Sequence, residues 1–247
     1  MILPNLRQRL TAADRAAVLL LLVGNDCSRR PRYENVAAVR GLDALLDDED
    51  LPGLLQHAQG LAAPSATLYI YVAVRHALLH AGIDDARLSD YLGALLYEFA
   101  LRDRAWRIAT HDDEQYRYLA DILAAAEAAP GQRRFLLRVH LGNFSLWLAG
   151  VFPDYITTRR ARRSGPGFEY YDTIGARGFR LASDDRYAQE FDVADVYAQV
   201  ADRFAEIRVA LNRLSDQAFF RDFSSPERLM RQVADEFRYP SRGGPLF

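Results

Sequence analysis

The sequence predicts an all-α fold, a single-domain bundle over residues 1–247, and three observations support it. Apolar residues recur at the three- and four-residue spacing of amphipathic helices along most of the chain. Capping residues and glycine or proline stops flank these segments. Sustained two-residue alternation, which is typical of half-buried strands, is nearly absent. Counting the periodic segments gives roughly nine or ten helices.

The shorter predicted helices lie in the first part of the chain. Thr11 is the predicted N-cap of the segment AADRAAVLLLLV, which Gly24 ends. Two short helices are expected in ENVAAVRGLDALL and LPGLLQHAQG. The next segment begins at Ser65 and ends at Gly82. Its LYIYVAV run also suits a buried strand, but its length and its caps favour a helix.

The next two predicted helices are amphipathic. One carries Leu88, Leu92, Leu95 and Phe99 on a single stripe, which predicts a surface helix that packs on one side. The other is expected to start with Thr110 as its N-cap, because acidic residues gather in the following turn, where the helix dipole favours negative charge.

The most apolar helix is predicted over residues 134–152, RFLLRVHLGNFSLWLAGVF. On a helical wheel, one narrow arc is either a solvent side or a close-packing groove, and it holds Arg134, Arg138, Gly142, Ser145 and Ala149. His140 and Asn143 lie inside the broad apolar arc instead. We therefore expect both side chains to point into the protein.

An irregular region is predicted after this helix, in FPDYITTRRARRSGPGFEYYDT, where Pro153, Gly165, Pro166 and Gly167 interrupt helical periodicity. Towards the C-terminal end, a three-four repeat predicts one long amphipathic helix along Tyr197, Val200, Phe204, Ile207, Leu211, Leu214 and Ala218. This seam packs either inside the protein's own bundle or against a second copy in a homodimer. Ser225 and Pro226 start a last, short helix.

The composition excludes several kinds of chemistry. All 31 basic residues are arginine, against 33 acidic residues and a net charge of −2. A Walker phosphate loop, a Schiff-base enzyme, a protein kinase and a Ser-x-x-Lys acyl-transfer enzyme each need a lysine. This sequence contains none.

Cysteine usage and hydropathy predict a cytoplasmic protein without a transmembrane segment. The single cysteine, Cys27, cannot form an internal disulfide, and no cysteine-histidine spacing for structural zinc is present. Residues 134–152 approach the length of a membrane span, but Arg138, His140 and Asn143 would be costly in hydrocarbon.

One candidate ligand site combines His140, Asn143, Trp147 and Arg75. An unsatisfied imidazole or amide in a protein interior costs about 1–3 kcal/mol, so both groups need partners. These are either neighbouring protein groups or a ligand in a cavity between helices. Arg75 lies among apolar residues, where it snorkels, pairs with a buried acid or meets an anionic ligand.

A second candidate site is the arginine run of Arg159, Arg160, Arg162 and Arg163. The run can hold an anion or an acidic partner, or it can be a solvated helix end. The net charge of −2 argues against general nucleic-acid binding.

His76 and His80 are one helical turn apart, which can present two imidazoles to a metal. Neither the zinc-protease nor the di-iron carboxylate pattern accompanies them, so we expect partly exposed histidines and no cofactor.

No catalytic motif is found, and three functions follow in order of preference. The first is association, through the Tyr197–Ala218 seam and the arginine run. The second is a small-ligand-binding protein or enzyme with a pocket around His140 and Asn143. The third is metal binding by His76 and His80.

Overall fold

The computed structural model describes residues 1–60, 63–101, 103–109 and 112–242. Within these ranges the chain forms fourteen α-helices and no strand, which confirms the all-α class but exceeds the predicted number of helices. In chain order they are α1 Ala12–Val23, α2 Arg30–Arg40, α3 Asp43–Leu46, α4 Leu51–His57, α5 Ala66–His80, α6 Ala86–Ala100, α7 Leu119–Ala128, α8 Gly131–Val151, α9 Pro153–Arg163, α10 Phe168–Ser183, α11 Arg186–Glu190, α12 Ala194–Asp202, α13 Phe204–Leu214 and α14 Pro226–Arg238.

Local capping chemistry sets the helix starts that the sequence predicts most sharply. The Thr11 side chain accepts a hydrogen bond from the Asp14 amide, and the Asp14 side chain accepts one from the Thr11 amide, which completes a capping box. Ser65 caps α5 and Ser225 caps α14, because their side-chain oxygens accept hydrogen bonds from the backbone amides of Leu68 and Arg228. The LYIYVAV segment is therefore helical, as its caps indicate.

Helix α8 is the centre of the fold, and it packs against α6, α7, α10 and α13. Its contact with α10 is the closest of these because small residues meet there. A Cβ atom on Gly178 would lie 2.9 Å from the Arg138 carbonyl oxygen. The Ser145 hydroxyl donates to the Tyr171 carbonyl at 2.7 Å. The arc through Gly142 and Ser145 is thus a close-packing groove.

The C-terminal end of α8 is capped by side chains from another part of the chain. Asn212 of α13 donates to the carbonyls of Ala149 and Gly150 at 2.7 and 2.9 Å. Ser215 donates to the Val151 carbonyl at 2.6 Å. These bonds satisfy carbonyls that a helix end leaves without partners. The chain can therefore turn sharply at this point, and α9 leaves α8 at 86°.

Within the described residues, no single helix has both the length and the apolar character of a membrane span. Helices α8 and α9 reach that length and hydropathy only together, as a bent pair.

Two predictions about individual helices are wrong: that α6 packs on one side only, and that a helix starts at Thr110. Helix α6 is buried almost continuously over Leu88–Leu96, because the N-terminal segment covers a second face, with Leu6 packed against Gly93. The helix predicted from Thr110 starts only at Leu119, and residues 112–118 are not helical. Thr110 itself lies outside the described residues.

The single long C-terminal amphipathic helix is also wrong. The seam is divided at Arg203, whose φ of −115° and ψ of 22° interrupt the helix between α12 and α13. A π-helical turn, Ser215–Phe219, then follows α13. The seam residues Tyr197, Val200, Phe204, Ile207, Leu211 and Leu214 are all buried in the protein's own core. Any contact with a second copy therefore has to use other residues.

The repeat failed to predict this break because each half of the seam faces the same core. Helix α12 packs on α10 and α6, whereas α13 packs on α8 and α5. The buried apolar side chains form one cluster from Ile2 to Leu214. Helix α14 contributes no residue to this cluster.

Candidate functional site

Three aromatic side chains line up on one face of α8. His140, Phe144 and Trp147 follow one another at steps of four and three residues. The ring centroids of His140 and Phe144 are 6.1 Å apart, and those of Phe144 and Trp147 are 5.9 Å apart. Phe99 of α6 contacts both His140 and Trp147. His140 and Trp147 thus belong to one aromatic cluster, together with Phe99 and Phe144.

His140 points inward, but one of its two ring nitrogens lacks the hydrogen bond that such a position normally requires. Its side chain is 3% exposed, and its Nε2 atom has no partner within the described part of the chain. Burial, and secondarily the nearby Arg104 guanidinium, lowers the pKa of His140 to about 3. General acid-base catalysis favours a pKa near the working pH. His140 is therefore a neutral imidazole that is poorly suited to that role.

Asn143 also points inward, and a neighbouring helix satisfies it. The Tyr91 hydroxyl of α6 donates to the Asn143 Oδ1 atom at 2.5 Å, and both side chains are buried. Tyr91 in turn meets the Tyr197 ring nearly edge-on at 5.5 Å. Asn143 thus links α8 to α6 and does not reach the cavity described next.

A cavity of about 560 Å³ opens beside Trp147, and we call it the aromatic cavity. Helix α8 supplies Phe144, Trp147 and Leu148, and the bend at its end adds Phe152. The remaining lining residues are Trp106, Arg117, Tyr118, Leu119, Ala120, Tyr155, Arg159, Pro166, Tyr170 and Tyr171. His140 and Asn143 are not among them, so the predicted pocket centre is displaced by about one helical turn.

Among the residues that the structure describes, the only charged side chains that line the aromatic cavity are Arg117 and Arg159. Arg159 donates to the Tyr155 hydroxyl at 3.2 Å, and its guanidinium lies 5.9 Å from the centre of the Tyr155 ring. Among the described residues, no carboxylate forms a salt bridge with Arg159. Its other planar donors therefore remain free to bind an anionic group.

The arginine run lies in the C-terminal part of α9, with Arg160, Arg162 and Arg163 in its last turn. This agrees with the helix-end alternative and not with a position in the predicted irregular region. The true interruption is short: Ser164 adopts a left-handed conformation at φ 49°, and α10 starts at Phe168. Arg159, Arg162 and Arg163 line a second cavity of about 430 Å³, together with Asp154. Arg160 lies apart from both cavities, against Gly167.

Arg75 does not belong to the cavity either. It is buried, and it binds both carboxylate oxygens of Asp47 at 2.8 Å and Asp84 at 2.6 Å. Of the alternatives that the sequence left open, this is the pairing with acids. The bidentate pair ties α5 to the turn after α3.

The expectation of partly exposed histidines is wrong for His76. It is buried, and its Nε2 atom donates to the Leu46 carbonyl at 2.9 Å. Burial lowers its pKa. His80 is half-buried. No group of three potential metal ligands occurs among the residues that the structure describes.

Sequence reasoning missed most of the aromatic cavity. Trp106, Tyr155, Tyr170 and Tyr171 come from three separate segments that only the tertiary structure brings together. One signal was available, because Tyr155 and Arg159 are four residues apart and share a helical face. The irregular region predicted over residues 152–173 hid that relation.

Comparison with known proteins adds no family. No family model matches the chain, and no curated protein or solved structure matches it significantly.

Proposed function

We propose that the protein binds a small aromatic or apolar molecule that carries one anionic group, in the aromatic cavity. The observation that carries the proposal is an aromatic lining whose described residues include two arginines and no acid. The volume of about 560 Å³ falls within the range of small-molecule sites. Tryptophan and tyrosine rings offer edge-on and offset contacts to a planar ligand.

Arg159 is the residue that would select the anionic group. Its stacking on Tyr155 holds the guanidinium at the cavity wall, and bidentate hydrogen bonds to a carboxylate, sulfonate or phosphate suit its planar geometry. Trp147 and Phe144 would contact the apolar body of the ligand. His140 stacks on Phe144 and would affect ligand binding only by helping to position Phe144 in the cavity wall.

Intrinsic fluorescence tests this proposal directly, because both tryptophans of the chain, Trp106 and Trp147, line the cavity. We would titrate the protein with 1-anilinonaphthalene-8-sulfonate and with N-phenyl-1-naphthylamine, a neutral analogue without the sulfonate. Both should quench the tryptophan emission. Arg159→Gln should weaken binding of the sulfonate about 10- to 100-fold, the size of a charged hydrogen bond. It should leave the neutral probe nearly unaffected.

Two further variants define the site. Ala120→Phe places a ring in the cavity and should weaken both probes. Arg160→Gln removes an exposed arginine of the same helix that lies outside the cavity, and it should change neither. Absence of quenching by both probes, or equal effects of Arg159→Gln and Arg160→Gln, would contradict the proposal.

A further inference from the structure

Helix α14 turns its charged face towards the protein. Arg228 is buried and binds Asp154 of α9 and the carbonyls of Phe220 and Phe223. Arg231 is buried and binds both carboxylate oxygens of Asp216 at 2.7 Å. An ordinary amphipathic helix buries its apolar side instead.

The apolar face of α14 is consequently exposed. Leu229, Met230, Val233 and Phe237 are 61%, 69%, 58% and 88% accessible. At 3.6 residues per turn these four side chains form one continuous stripe opposite Arg228 and Arg231. The turn before the helix exposes three more large apolar side chains, Phe219, Phe220 and Phe223.

The charged contacts fix this orientation. Rolling α14 to bury its apolar stripe would break the Arg228–Asp154 and Arg231–Asp216 pairs and leave Asp216 buried without its partner. Breaking a buried ion pair on one side is strongly destabilising. The fold therefore holds an apolar surface towards solvent, which is typical of a docking surface.

We propose that this surface binds a second copy of the same chain, with the two α14 helices antiparallel across a twofold axis. Val233 lies at the middle of the stripe, so it would meet its own counterpart at the axis. Leu229 of each copy would then lie beside Phe237 of the other. Self-association does not use the buried Tyr197–Leu214 seam in this arrangement.

The charges beside the stripe are self-complementary in that arrangement. Glu227 in the first turn and Arg238 in the last turn lie on the same flank of α14, and both are exposed. In an antiparallel pair like flanks face each other, so each Glu227 would meet Arg238 of the other copy. Neither residue forms a salt bridge within the described part of the chain.

The exposed area also suits a pair of copies. A fully exposed aromatic side chain presents about 150–250 Å². Phe237 is 88% exposed and the three phenylalanines of the turn are 37–50% exposed, so together they supply about half of the roughly 800 Å² that each partner contributes to a specific interface. A lipid surface fits less well, because membrane-binding helices offer cations on their polar face. In α14, Arg228 and Arg231 are held in ion pairs with Asp154 and Asp216. The exposed charged residues of the helix are two acids, Glu227 and Glu236, and one base, Arg238.

Sedimentation velocity of the full chain tests the proposal, over about 1 to 100 µM. The protein should form a dimer within this range. Val233→Arg, which places like charges at the axis, should weaken the dimer at least about tenfold. Val39→Arg changes an exposed valine on α2 and should leave the dimer intact.

A charge swap separates this geometry from other contacts. Glu227→Arg and Arg238→Glu should each weaken dimerisation about tenfold, because each creates two repulsive contacts per dimer. The double variant should recover to near the original affinity. The double variant still has a base at the N-terminus of α14 and an acid at its C-terminus, both of which the helix dipole disfavours. A recovery of the dimer affinity would therefore come from the restored pairing between the two copies.

A monomer throughout the range, equal loss with Val39→Arg, or no recovery in the double variant would overturn the proposal. The same proteins would be mixed with phosphatidylcholine vesicles, with and without phosphatidylglycerol. Flotation of a monomeric protein with the vesicles, abolished by Val233→Arg, would assign the surface to lipid and overturn the proposal as well.

Discussion

Two buried polar side chains on α8 differ in whether neighbouring residues satisfy their hydrogen bonds. Asn143 accepts a hydrogen bond from Tyr91, so its burial is compensated. His140 is packed among the rings of Phe99, Tyr116 and Phe144, and its Nε2 atom has no described partner. An unsatisfied buried group costs about 1–3 kcal/mol. The unpaired Nε2 atom of His140 therefore lowers the stability of the folded protein next to the aromatic cavity.

Because burial depresses the pKa of His140 in the folded protein to about 3, from the ordinary 6.5, the unfolded chain takes up this proton first. The contribution of the neutral His140 to the free energy of unfolding is complete above pH 6.5. It is lost as the pH falls towards 3, at about 1.4 kcal/mol per pH unit. His140→Phe should remove this loss. In urea unfolding at pH 7, 6, 5 and 4, the variant should gain stability relative to the wild type at each step. Parallel pH profiles would contradict the assignment.

Among the elements, the crossing of α8 and α10 depends on glycine. The backbones approach so closely that a Cβ atom on Gly178 would lie 2.9 Å from the Arg138 carbonyl oxygen and 3.1 Å from the Gly142 amide nitrogen. Backbone atoms cannot rotate away as a flexible side chain can. The position of α10 sets Tyr170 and Tyr171 in the cavity wall, so this contact also shapes the candidate site.

Gly178→Ala should therefore destabilise the protein by about 1–3 kcal/mol through overpacking. Gly53→Ala in α4 is the matched control, because a Cβ atom there meets nothing within 4 Å. The better helix propensity of alanine should make that variant more stable by about 0.5–1 kcal/mol. Thermal and urea unfolding measure both changes. Similar effects of the two substitutions would show that the crossing tolerates a methyl group.

For the whole molecule, two kinds of attachment hold the helices together. Helices α1 to α13 surround one apolar cluster that extends from Ile2 to Leu214. Helix α14 is fastened by ion pairs to Asp154 and Asp216. Regions with few buried apolar contacts open independently of the core. We expect α14 to unfold locally before the remainder of the protein.

Asp216→Asn should release α14 selectively, because it removes the charge that holds Arg231. Hydrogen exchange should rise by at least tenfold over residues 226–238, while amides in α8 keep their protection. Asp222→Asn changes an exposed acid of the preceding turn and should have little effect. A uniform rise in exchange along the chain would mean that α14 is part of the cooperative core.

The sequence by itself determined the helical class, the excluded lysine chemistries and the helix starts at Thr11, Ser65 and Ser225. It also placed His140 and Asn143 inside the protein. These features depend on composition and on hydrogen bonds between residues a few positions apart, which one segment of sequence contains.

Only the tertiary structure decided what the apolar faces contact. The periodicity of α6 did not show that the N-terminal segment covers it, and the regular seam did not show the break at Arg203. The aromatic cavity joins segments from Trp106 to Tyr171, and α14 has its apolar side outward because Asp154 and Asp216 hold its arginines. A side-chain pattern gives the period of a buried face, whereas the residues that pack against that face lie far away in the chain.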